Sequence, residues 1–105
     1  MKLKVGKNSL KIIWTKSAQN QLKKIYEYIS TESIQNALKV INDLTKGVGD
    51  IASHPEKHKI DQYKKDNDGT YRAFEKHHFR VSYRNENQTI RILRVRHTKM
   101  NPKKH

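Results

Sequence analysis

Between Tyr71 and His97, three runs rich in β-branched and aromatic residues are separated by short polar breaks: Tyr71–Phe74, His78–Arg84 and Thr89–His97. This pattern constrains the chain more than any other, because it reads as an antiparallel meander. Alternation along a strand sets the faces. In the second run Phe79, Val81 and Tyr83 point one way, and His78, Arg80, Ser82 and Arg84 the other. The third run changes phase. Ile90 and Ile92 share a face with Arg94 and Arg96, whereas Leu93 and Val95 share one with Arg91 and His97. A change between Ile92 and Leu93 means either a strand covered on both faces in its first half or a bulge that re-aims its end. Both readings deliver Arg96 and His97 to the strand terminus. Glu75-Lys76-His77 and Asn85-Glu86-Asn87-Gln88 mark the two reversals, and Asp66-Asn67-Asp68-Gly69 marks a turn just before the meander.

The first half of the chain carries different periodicities. Leu10 to Thr15 predicts a short strand with Leu10, Ile12 and Trp14 on one face. Ala18, Leu22, Ile25, Tyr26 and Ile29 then form one helical stripe, with Thr15 or Ser17 as the cap. Ser33 caps a second helix bearing Ile34, Ala37, Leu38, Ile41, Leu44, Val48 and Ile51, whose last turn Gly47 and Gly49 weaken. So short a connection predicts an antiparallel αα-hairpin. Pro55 ends the second helix by disfavouring helical backbone at His54. The expected fold is α+β, in the order β-α-α-β-β-β. An antiparallel sheet carries the αα-hairpin on one face, because only the apolar sheet face can bury both stripes. Residues 1–105 are expected to form one domain, with 1–9 and 99–105 as flexible ends.

Charge narrows the function classes. The net charge is +13, with 23 Lys and Arg against 10 acids, which points to a polyanionic partner, nucleic acid first. From Arg72 onward ten Lys and Arg face only Glu75 and Glu86, so the basic character is concentrated on the meander and tail. There is no cysteine, which excludes disulfides, thiol catalysis and Cys-ligated metal. No apolar run approaches the roughly 20 residues that span a bilayer. Met1 to Lys7 has no secretory apolar region. A cytoplasmic protein without a membrane partner is the simplest expectation. His54 and His58 are four apart, but Pro55 interrupts them, so no metal site and no cofactor are expected.

The strand, Trp14-Thr15-Lys16-Ser17-Ala18, the two helices, His78-Phe79-Arg80-Val81-Ser82-Tyr83-Arg84 and Ile90 to His97 together resemble the RelE/ParE superfamily of bacterial type II toxins. The resemblance spans roughly residues 10–100. It implies a small α+β toxin held inactive by a cognate antitoxin, small, acidic and encoded adjacently. The apolar positions at the edge of the helix hairpin, beside so much positive charge, would suit an acidic antitoxin segment that folds on binding.

The superfamily implies two activities. RelE-like members cleave mRNA on the ribosome, and ParE-like members poison DNA gyrase. By resemblance to the first group, Arg80 would bind the scissile phosphate, His97 would act as general acid or base, and Glu56, after Pro55, would be the carboxylate of the set. The residue types suit a metal-free cleavage. A guanidinium holds two phosphate oxygens, and an imidazole exchanges protons near neutrality. Arg72, His78, Arg84, Arg94, Arg96 and Lys99 would hold the RNA backbone. The tail lysines Lys103 and Lys104 would add charge only, and Trp14 and Tyr71 would be core. The C-terminal Tyr used by RelE has no counterpart, since no Tyr follows Tyr83. On this reading a ribosome-dependent endoribonuclease leads, a gyrase poison is the alternative, and an inactive basic RNA-binding domain is the third.

Overall fold

A computed structural model describes residues 10–99; residues 1–9, 100–105 and, with them, Lys103 and Lys104 lie outside the described residues. The element order is β1 (Lys11–Trp14), α1 (Lys16–Ser30), α2 (Ile34–Ser53), β2 (Tyr71–Lys76), β3 (Phe79–Glu86) and β4 (Thr89–His97). This is the expected α+β order. Both helices start where a hydroxyl can take up a free amide. Thr15 Oγ1 accepts from the Ala18 N–H at 3.1 Å, and Ser33 Oγ from the Asn36 N–H at 3.0 Å.

The sheet order is β1-β4-β3-β2. β2, β3 and β4 form the expected antiparallel meander. β1 differs: it lies parallel to β4, with Ile12 beside Ile90 and Trp14 beside Ile92. The sheet is therefore mixed. A parallel neighbour requires a crossover connection, and the helix hairpin with the first two meander strands supplies it. The alternation of β1 is the same in either direction, so it carried no information on this point.

One sheet face packs on the helices. Leu44, Val48 and Ile51 of α2 and Ala18 of α1 meet Phe79, Val81 and Tyr83 of β3 and Ile90, Ile92 and Val95 of β4. Ile12, Trp14, Leu22, Ile25, Ile29 and Phe74 pack around them. The α2 stripe is rotated from expectation. Val40 is buried, whereas Ile34 and Leu38 are 60% and 49% exposed. Val40 lies three residues after the buried Ala37 and four before Leu44, the spacing that keeps side chains on one helix face.

Both hairpins reverse later than expected. β2 runs to Lys76, and His77 and His78 make the turn with φ of 54° and 67°; Asn87 and Gln88 make the other with 54° and 60°. Two left-handed residues in succession match the twist of the flanking strands.

Candidate functional site

The face of the sheet away from the helices is open and basic. Its pattern depends on one bulge. The β3–β4 register passes from Tyr83 opposite Ile92 to Ser82 opposite Arg94, which leaves Leu93 as an extra residue on β4. This accounts for the phase change in the third run. Ile90, Ile92 and Val95 all face the core, and Arg91, Arg94 and Arg96 all face out, opposite Arg84, Ser82 and Arg80. The bulge is pinned from the first helix. Thr15 Oγ1 donates to the Ile92 carbonyl at 2.9 Å, and Gln21 Oε1 accepts from the Val95 N–H at 2.7 Å.

The segment from 58 to 70 borders this face. Ile60 bridges Arg72, the Asp61 N–H donates to the Tyr71 carbonyl at 2.8 Å, and the Ala73 N–H donates to the Lys59 carbonyl at 3.2 Å. The outer edge of β2 is thereby covered. Asn67 ties the turn, donating to the Asp61 and Tyr71 carbonyls and accepting from the Gly69 N–H. Gly69, at φ 95°, occupies backbone that favours glycine.

A cleft of about 470 Å³ lies between this segment and β4, lined by Asp61, Tyr63, Lys64, Tyr71, Arg80, Leu93, Arg94 and Arg96, with His97 and Thr98 at its end. A second concavity of about 700 Å³ continues past Lys64, Tyr71, Leu93 and Arg94 to Arg84 and Arg91. The shared residues make the two one continuous groove.

The arginines along it are not equivalent. Arg80 is neutralised twice, by Asp61 at 2.6 Å and Glu75 at 3.1 Å, and lies 4.7 Å from the centre of the Tyr63 ring. Arg84 donates to Thr70 Oγ1 at 2.9 Å, pairs with Glu86 at 3.1 Å and Asp68 at 3.4 Å, and lies over Tyr71. Lys64 lies over Tyr71 too, so the Tyr71 ring meets two cations and lies on the open face, not in the core. The Thr70 hydroxyl and amide, with Arg84 beyond, hold the Asp68 carboxyl below its usual range. Among the described residues no carboxylate lies within ion-pairing distance of Arg91, Arg94 or Arg96.

Of the three residues expected to form a catalytic set, Arg80 and His97 line the same cleft, whereas Glu56 lies apart from it. Arg80 is on the open face. The His97 ring packs edge-on against Phe79, a core residue, at 5.0 Å. Its Nδ1 accepts from the Lys99 N–H at 3.1 Å, which leaves the proton of the neutral ring on Nε2. Glu56 is exposed beyond the end of α2, next to Pro55, whose carbonyl accepts from the Tyr83 hydroxyl at 3.3 Å. Burial pushes that hydroxyl up to about 12. Among the described residues no hydrogen bond joins Arg80, His97 and Glu56 to one another.

The expected RNA-contacting residues divide as well. Arg84, Arg94 and Arg96 share the open face. Arg72, opposite Tyr83, is on the helix side and donates to the His58 carbonyl at 2.7 Å. His78 belongs to the turn, so strand alternation does not place it beside Arg80; its ring stacks on His97 at 6.4 Å. Lys99 is exposed just past β4. Sequence reasoning missed Asp61, Glu75, Tyr63 and Arg91. Asp61 and Tyr63 lie in a stretch with no periodicity, Glu75 reads as part of a reversal, and Arg91 groups with Leu93 and Val95 because the bulge is one of two open readings.

The model of the ParE toxin of the type II toxin–antitoxin system parDE matches residues 12–102. Among solved structures, the chromosomal ParDE system from P. aeruginosa superposes with a TM-score of 0.71 at 21% identity, covering 88% of this chain and 99% of that one. The toxin–antitoxin complex RelBE2 from Mycobacterium tuberculosis superposes with a TM-score of 0.61 at 20% identity, covering 85% and 91%. No curated protein matches by sequence. No described helix is long and apolar enough to cross a membrane.

Proposed function

The chain belongs to the ParE toxin family of type II toxin–antitoxin systems, and from that premise we propose that it acts by docking on its target, DNA gyrase, and not by cutting mRNA. The observation that carries this reading is the double ion pairing of Arg80, with Glu56 outside the cleft that Arg80 and His97 line. Metal-free RNA cleavage needs a base, an acid and a charge stabiliser within hydrogen-bond reach of one phosphate. Here the guanidinium is already occupied by Asp61 and Glu75, and the imidazole packs on a core phenylalanine. A docking toxin requires none of these groups to converge. Its partner in the cell is a small acidic antitoxin, whose carboxylates complement the net charge of +13. The exposed Tyr28, Ile34 and Leu38 at the helix hairpin add apolar area for such a segment.

The test is to induce the full chain in cells and map mRNA 5′ ends together with double-strand DNA breaks. DNA breaks with intact mRNA are expected. Cuts within translated codons that vanish in Arg80→Ala would replace this reading with the ribosome-dependent nuclease.

A further inference from the structure

The arginines of the open face fall into two classes, and the division identifies a binding track. Arg80 and Arg84 each have two carboxylates. Arg91, Arg94 and Arg96 have none among the described residues, and the bulge at Leu93 aligns all three along one strand. Strand residues two apart are separated by about 7 Å, so Arg94 and Arg96 present successive cations to a chain of evenly spaced anions. The facing wall carries Tyr63, 68% exposed. One side of its ring rests on the Arg80 guanidinium, which leaves the other side to the groove. A positive groove with an exposed aromatic ring, supported from beneath by a cation, fits a stacked base above a tracked backbone.

We propose that this groove binds single-stranded nucleic acid along β4, with Arg91, Arg94 and Arg96 contacting phosphates and Tyr63 stacking a base. Arg80 and Arg84 hold the walls of the groove and do not engage the strand. The 58–70 segment closes one side of the groove. Phosphates bound here need no chemistry from the protein. The proposal goes beyond the gyrase reading and stands or falls separately from it.

The experiment measures the affinity of the purified full chain for a labelled single-stranded DNA 20-mer and for the RNA 20-mer of the same sequence across a salt series, the tighter of the two identifying the strand. Each phosphate contact contributes about 0.7 to the slope of log affinity against log salt for a single strand. Arg91→Ala, Arg94→Ala and Arg96→Ala should each lower the slope by about that amount, and Arg94→Lys should restore it. Lys24→Ala, on the exposed side of α1, should leave it unchanged. Tyr63→Leu should weaken binding at least about fivefold with no change in slope. Slopes unaffected by the three β4 substitutions would overturn the proposal. So would a poly-glutamate peptide of equal charge that binds as tightly and ignores Tyr63→Leu, because the groove would then be one for acidic peptides.

Discussion

At the scale of single residues, Arg80 changes meaning between sequence and structure. Alternation along β3 places it on the polar face, where its loss would open no cavity. The structure adds Asp61, whose side chain is only 11% exposed. Removing the guanidinium leaves that carboxylate half-desolvated and without its partner. Arg80→Ala should therefore lower stability by roughly 1–2 kcal/mol, discounted from a buried pair because Glu75 is largely in water. Arg94→Ala should stay within about 0.5 kcal/mol of the parent. Urea denaturation of both variants checks the contrast. The two glycines of α2 give a second one. A Cβ at Gly47 would meet the Phe74 ring at 3.0 Å, whereas one at Gly49 would meet nothing within 4 Å. Gly49→Ala should stabilise by about 0.5–1 kcal/mol through helix propensity. Gly47→Ala should lose that gain and about 1 kcal/mol more to overpacking. Thermal melts of the pair would decide. Both glycines looked alike in the sequence, because the difference between them is a strand residue 27 positions away.

At the scale of elements, the meander, both helices and their hydroxyl caps were legible, since each rests on local spacing. The bulge was half legible. The apolar phase slip at Ile92–Leu93 demanded either a bulge or a strand buried on both faces, and only the register with β3 distinguishes them. What pins it was not legible: Gln21 is 74 residues from Val95 and sits in a helix as an ordinary polar residue. Gln21→Leu should leave the Val95 N–H unsatisfied at a half-buried position and cost about 1–2 kcal/mol. Hydrogen exchange should show the Val95 amide losing protection more than that of Val81. Equal loss at both would indicate global destabilisation and no local role. The 58–70 segment explains most of the missed site. It has no period, so nothing in its sequence shows that it folds over the open face and supplies the carboxylate on Arg80.

At the scale of the whole molecule, acid sensitivity follows from a few groups. His58 lies stacked on Phe74 at 4.7 Å. Burial first, and Lys57 second, hold its pKa below the usual 6.5. The unfolded chain then takes up this proton before the folded one, so stability falls as the pH drops below about 6.5 and through the folded value. His77 donates to Asp43 across 2.6 Å and joins the β2–β3 turn to α2. That bond chiefly holds the Asp43 carboxyl low. Its contribution is present above the ordinary carboxylate range and lost as the pH falls through the folded value. Melting temperature should thus decline in two stages on acidification. His58→Phe should remove the upper stage and Asp43→Asn should flatten the lower one. A melting curve independent of pH from 7 to 5 in the parent would contradict the placement of His58. Charge was the most legible whole-molecule property, but composition does not divide the arginines into paired and unpaired ones.

Toxicity that comes from docking would use no proton transfer at His97. The most direct measurement is growth inhibition on induction of His97→Gln, whose amide oxygen can still accept from the Lys99 N–H. Toxicity should match the parent, because neither proton donation nor charge at this position is used. A loss of toxicity together with mRNA cleavage slowed by roughly 10²–10⁴-fold, the usual contribution of a general acid or base, would contradict docking and establish proton transfer at His97.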